Sequence, residues 1–137
     1  AFIRYADIKF PIANKLVKLI KSDLPVDSTD KLNEIIESIQ NNSKSKKLLS
    51  QVYQALRIAV NNEYESLSNL VIKSENVLNP EGLLIIVTFH SGEEKVVTKA
   101  LDQVEGLKLI NTYRPTINEL RNNLSARSAK LWKIKKL

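Results

Sequence analysis

The stretch Leu83-Leu84-Ile85-Ile86-Val87-Thr88-Phe89 constrains the fold more than any other part of the chain. It is short, continuously apolar and rich in β-branched residues. Asn79-Pro80-Glu81-Gly82 precedes it as a turn, with Gly82 placed where positive φ is tolerated. Such a run predicts a strand buried on both faces, the signature of a parallel sheet. Around it the periodicity alternates. Residues 93–104 read as a helix covering the sheet, and 107–113 and 130–136 as two further strands. Pro115 to Asn123 reads as a short helix in a loop. The order helix, strand, helix, strand, strand predicts the last part of a Rossmann-like α/β sheet. Three strands covered this way leave an open apolar edge, so more strands are expected from elsewhere.

The first part of the chain is helical in pattern. Ile12, Leu16, Leu19 and Ile20 recur at helix spacing within 2–22, where Pro11 suits the first turn. Ser28 or Thr29 can cap a second helix with a stripe of Leu32, Ile35, Ile36 and Ile39. Asn41 to Lys47 is polar and basic, and reads as a loop and the domain boundary. Residues 48–78 then read as one long helix. Its stripe runs through Leu49, Val52, Leu56, Ala59, Val60, Leu67, Leu70, Val71, Val77 and Leu78.

Composition closes several functional classes. The 137 residues include no cysteine and one histidine, which excludes a disulfide framework, a thiolate metal site, a cysteine nucleophile and a histidine-rich metal cluster. No apolar run approaches the roughly 20 residues of a membrane helix, and the N-terminus carries no signal-peptide pattern. The chain does not begin with Met, which fits a segment of a longer protein. With only three glycines, it has no glycine-rich loop for a nucleoside or phosphate. The net charge of +6 lies in residues 114–137. There Arg114, Arg121, Arg127, Lys130, Lys133, Lys135 and Lys136 face a single acid, Glu119. Such an end attracts polyanions with salt-dependent affinity, and charge alone fits a solvated tail equally well.

Three motifs carry a resemblance. They are Gln54-Ala55-Leu56-Arg57-Ile58-Ala59-Val60-Asn61, continued by Asn62-Glu63; then Phe89-His90-Ser91; then Ala126-Arg127-Ser128-Ala129-Lys130-Leu131. In that order they resemble the C-terminal half of the small-subunit rRNA cytosine-N4 methyltransferase family of bacteria and mitochondria. Asn79-Pro80-Glu81-Gly82 resembles the family's Pro-Gly-Gly turn, and Gly92-Glu93-Glu94-Lys95 its following acidic stretch. The departures are Lys47-Leu48-Leu49 for His-Pro-Ala, Leu124-Ser125 for Pro-Arg, and Trp132 for a final Arg.

The resemblance implies an S-adenosylmethionine-dependent sheet, with residues 48–137 as the C-terminal half of the methyltransferase domain and 1–47 as the end of an inserted helical substrate-recognition domain. It implies small-subunit rRNA, or the ribosomal subunit, as partner. The rest of the fold would come from elsewhere in the polypeptide or from a partner chain, and would supply the donor-binding residues, none of which fall here. His90 and Ser91, at a strand's C-terminal end, are the candidate catalytic pair; a structural hydrogen bond holding the turn is the alternative for His90. Gln54, Arg57 and Asn61 share one helix face, as a polar wall of the site or as a network tying the helix to the sheet. Arg127, Ser128 and Lys130 are candidates to hold the RNA backbone. Trp132 and Tyr113 are expected in the core, with base stacking the alternative. A mitochondrial matrix location is expected, with bacterial cytoplasm as the alternative. A non-catalytic ribosome-assembly relative is the competing function.

Overall fold

In the computed structural model, Tyr5 and residues 8–39 and 43–137 are described. Two compact units divide the chain, Ala1–Glu63 and Tyr64–Leu137. Among the described residues the first carries the helices α1 (Phe10–Ser22), α2 (Thr29–Glu37) and α3 (Ser43–Asn61). Ser28 is the cap of α2, its hydroxyl accepting from the Lys31 backbone N–H at 3.2 Å. Both expected stripes meet α3 in one core built on Leu16, Ile35, Ile36, Leu48 and Val52. Ile8 and Lys9 are not helical, so the expected helix over 2–22 is interrupted between the helical Tyr5 and the start of α1 at Phe10; residues 2–4, 6 and 7 of that span lie outside the described residues.

Two expectations for this region are corrected. Residues 43–47 are not a loop but the first turns of α3, and Ser45 is buried there; 41 and 42 lie outside the described residues. Serine and lysine are compatible with helix, and the apolar face that follows selects it. Nor is 48–78 one helix. Asn62 sits at φ 51°, a left-handed conformation that asparagine tolerates, and α4 (Glu63–Val77) starts afresh. The break resets the helical phase. Val60, Leu70 and Val77 of the expected stripe are exposed, while Leu48, Ala55 and Ile58 are buried.

The second unit carries α4, β1 (Leu83–Thr88), α5 (Ser91–Leu101), β2 (Leu107–Tyr113), the short α6 (Ile117–Asn122), a 3-10 turn (Leu124–Ser128) and β3 (Lys130–Lys136). The sheet order is β1-β3-β2, with β3 antiparallel to both neighbours. Thus the parallel, doubly covered strand is corrected. In β1 only Ile86 and Thr88 are buried, whereas Leu83, Ile85 and Val87 are 46%, 50% and 46% exposed. An apolar run records which side chains tolerate burial, not how many layers exist to bury them. One face packs Ile86, Trp132 and Ile134 under Val71, Val97 and Ala100 of the helices. The other face, and the outer edge of β1, stay open among the described residues.

Local details follow from crowding. Positive φ at the turn before β1 falls on Glu81 (φ 68°), not on Gly82. Gly82 is required for another reason: a Cβ there would sit 2.7 Å from the Asn79 carbonyl oxygen. Ile110 is the extra residue of a bulge in β2 between Leu109 and Asn111. Trp132 is in the core at 3% exposure, but Tyr113 is half exposed, because it lies opposite Leu131 on the open side of the sheet. The indole N–H of Trp132 donates to Thr88 Oγ1 at 3.0 Å in a fully buried bond. Thr88→Val keeps the volume and orphans that donor. Its expected cost is about 1–3 kcal/mol, read as a lowered midpoint in denaturant titration.

Candidate functional site

The register of β3 assembles the site. Thr88 lies opposite Lys130, and Tyr113 opposite Leu131. The ends of β1 and β2 and the start of β3 therefore share one edge of the sheet. Ser91 of Phe89-His90-Ser91 and Lys130 of Arg127-Ser128-Ala129-Lys130, separate in sequence, line one cleft there, and Arg114 at the end of β2 reaches the Ser128 and Ala129 carbonyls.

His90 is the cap of α5. Its Nδ1 accepts from the Glu93 backbone N–H at 3.3 Å, while Glu93 Oε2 accepts from the backbone N–H groups of Phe89 (2.6 Å) and His90 (3.3 Å). This reciprocal capping box satisfies donors that a helix start leaves open. Because Nδ1 accepts, the ring proton belongs on Nε2. That atom is buried without a hydrogen bond, 3.4 Å from Glu93 Oε1, with the Tyr64 ring at 6.0 Å between centroids. A Cβ on Gly92 would meet the Tyr64 hydroxyl, so a larger residue there would displace the Tyr64 ring.

Glu94, the next residue, is the electrostatic centre. It receives Arg114 at 2.8 Å and Lys130 at 3.1 Å, one cation on each carboxylate oxygen. Lys130 also lies over the Trp132 ring, 4.0 Å from its centroid. Arg114 further donates to the carbonyls of Ser128 and Ala129, each at 3.4 Å. Partial burial pushes the Glu94 carboxyl up. Hydrogen bonds from Lys130 and Arg114, and then their charges, outweigh that effect and hold its pKa below the ordinary glutamate value. Beside this cluster an open cleft of ≈ 380 Å³ is lined by Ser91, Glu94, Lys95, Lys99, Lys130 and Trp132.

The basic C-terminal segment is largely engaged by the fold itself. Arg114, Lys130 and Lys135 are ion-paired, the last to Glu81 at 2.7 Å, and Lys136 donates to the Glu75 carbonyl. Among the described residues, Arg121, Arg127 and Lys133 have no such partner, and neither do Lys95 and Lys99 on α5.

Gln54, Arg57 and Asn61 belong to the first unit. Arg57 is bound at both ends of the Glu63 carboxylate (2.7 and 3.2 Å), and Asn61 adds a contact at 3.4 Å. The Arg57 side chain is 57% exposed, so this is a surface network at the end of α3.

Comparison with known proteins decides the family. The model of the MraW methylase family matches residues 1–137. The chain belongs to the MraW methylase family. It is 34% identical over 136 residues to the ribosomal RNA small subunit methyltransferase H of Pseudothermotoga lettingae, covering 95% of this chain and 46% of that protein. The protein of the same name from Christiangramia forsetii is 32% identical, covering 99% and 51%. Ribosomal RNA small subunit methyltransferase H 1 of Lachnoclostridium phytofermentans is 36% identical, covering 90% and 37%. The chain thus spans about half the length, or less, of these bacterial relatives. Its helices and three-stranded sheet agree with the C-terminal part of a Rossmann-like methyltransferase.

For this MraW-family chain, sequence reasoning found the motif residues but missed Glu94, Lys95 and Lys99 as site residues. The spacing of His90 and Glu93 was a readable capping-box signal. The Glu94 pairs were not, because they join positions 20 and 36 residues apart.

Two outcomes test this geometry. His90→Asn keeps an acceptor at the Nδ1 position and is expected to hold stability within about 0.5 kcal/mol. His90→Gln moves the acceptor one bond outward and is expected to lose about 1 kcal/mol; equal losses in denaturant titration would refute the capping role. The second concerns pH. A depressed carboxylate contributes stability above its unfolded-state pKa, and that contribution is lost as pH falls through the folded-state value. For Glu94 the loss sets in on acidification below the ordinary glutamate value and completes below its lowered folded-state value. Glu94→Gln is expected to flatten that part of the stability–pH profile.

Proposed function

We propose that this chain is the substrate side of an S-adenosylmethionine-dependent methyltransferase that modifies cytosine N4 in small-subunit rRNA during ribosome maturation. The carrying observation is that Ser91, of the Phe89-His90-Ser91 motif, and Lys130, of the Arg127-Ser128-Ala129-Lys130 motif, line one cleft at the end of the sheet, in a chain whose relatives are named as small-subunit rRNA methyltransferases. Ligands of open α/β sheets bind beyond such strand ends. Transfer to an amine depends on holding its nitrogen in line with the donor's methyl group, so positioning is the main contribution required of the substrate side.

In this reading Ser91 and the turn at His90 border the place where the cytosine is held. Arg127, with Ser128 and Lys130 behind it, faces the RNA backbone. Residues 1–47 are the end of a substrate-recognition insertion, and Gln54, Arg57 and Asn61 of α3 contact the RNA substrate. The cleft at the sheet end does not suit the methyl donor. Three ammonium groups line it, and its carboxylate is already paired, whereas the donor's sulfonium is itself cationic. Donor binding is therefore assigned to the remainder of the fold. The unpaired edge of β1, with Leu83, Ile85 and Val87 exposed beside it, supports docking of that remainder, whether from the same polypeptide or from a partner chain. The bacterial source of the relatives supports bacterial cytoplasm over the mitochondrial matrix.

The 137 residues alone are expected neither to bind S-adenosylmethionine in calorimetry nor to methylate small-subunit rRNA. A polypeptide joining them to the donor-binding half is expected to do both. Methylation by the isolated chain would overturn this division of labour.

A further inference from the structure

The excursion between β2 and β3, residues 114–129, is unusual in its anchoring. It contains α6 and the 3-10 turn, and not one of its side chains is buried. Ile117 and Leu124 are 72% and 68% exposed. Its internal order is local. Thr116 and Glu119 form a capping box, and Asn123 caps the 3-10 turn. Pro115, Leu120, Ala126 and Ala129 are only partly covered, and the polar bonds at its base fix where the excursion meets the sheet. Those converge on Glu94. One oxygen takes Arg114, where the excursion leaves the sheet; the other takes Lys130, where it returns. Arg114 also reaches the Ser128 and Ala129 carbonyls, closing the two ends on each other. Arg121 and Arg127, both without an ion pair among the described residues, ride on this excursion.

We propose that Glu94 is a positioning residue for RNA, a carboxylate latch that sets the Arg127-bearing excursion at the end of the sheet. This rests on the rRNA reading above and adds a residue of the wrong charge to it. The sign is what makes it testable. By charge alone, Glu94 opposes a polyanion, and its removal would free Arg114 and Lys130 to bind phosphate. As a latch, its removal costs affinity, because the cations must be ordered on binding. The two effects carry opposite signs, and the latch requires the ordering effect to exceed the gain from freeing two cations.

The test is binding of a small-subunit rRNA transcript to the full-length protein that carries this segment, with thermal midpoints recorded in parallel. Glu94→Gln is expected to weaken binding roughly fivefold, and Glu94→Asp to recover most of it. In the Arg127→Ala background the Glu94→Gln effect should largely vanish, since the latch acts through that arginine. Unchanged or tighter binding by Glu94→Gln overturns the latch, as does full additivity with Arg127→Ala. If Glu94→Gln lowers the midpoint enough to unfold the protein, Arg114→Lys takes its place: it keeps the charge and breaks the fork, and the same loss, absent in the Arg127→Ala background, is expected. Wild-type protein without salt-dependent RNA binding overturns the rRNA reading itself, and the latch with it.

Discussion

The antiparallel seat of β3 between β1 and β2 governs the second unit. A strand that closes a sheet from within must satisfy both neighbours at once. Here the register places Trp132 beside Ile86 on one side and Thr112 on the other. The same register sends Trp132 and Ile134 into the core, and leaves Leu131, Lys133 and Lys135 on the open side. A slip of one residue would invert both sets. It would also bury two ammonium groups and part the Trp132 indole from Thr88. The buried bond between those two side chains therefore specifies register as well as adding stability.

From that seat the site follows without further devices. Lys130 is the first residue of β3, so its register opposite Thr88 puts it next to the turn that ends β1. His90 and Glu93 close that turn into a helix start, and Glu94 then points back to meet Lys130 and Arg114. The arrangement is economical in charge. Most cations of the C-terminal segment are used to stitch strands and loops together, and among the described residues those left over are Arg121 and Arg127 on the excursion and Lys133 on the open face of β3. A basic segment and a basic surface are different things, because the fold neutralises the first in making the second.

The two units illustrate different kinds of legibility. In the first, the stripes of α1 and α2 were readable because each helix carries its apolar residues at one spacing and meets one core. The stripe over 48–78 was readable only in part: Asn62 takes a left-handed conformation and shifts the phase of α4 after it, and within α3 the buried face runs through Leu48, Ala55 and Ile58 and leaves Val60 exposed. In the second unit the strands at 107–113 and 130–136 and the short helix after Pro115 were readable from turn chemistry and alternation. Strand direction was not, since an antiparallel and a parallel partner demand the same β-branched residues.

The sequence by itself determined the elements, the family to which the chain belongs, the candidate motif residues and the imbalance of charge toward the C-terminus. These are properties of neighbours along the chain, set by spacing and side-chain type. Tertiary structure alone decided that Lys130 comes to lie beside the end of β1 and that Glu94 joins Arg114 to Lys130. Those facts depend on strand register and on hydrogen-bond geometry between residues far apart in sequence, and no local pattern encodes a distance.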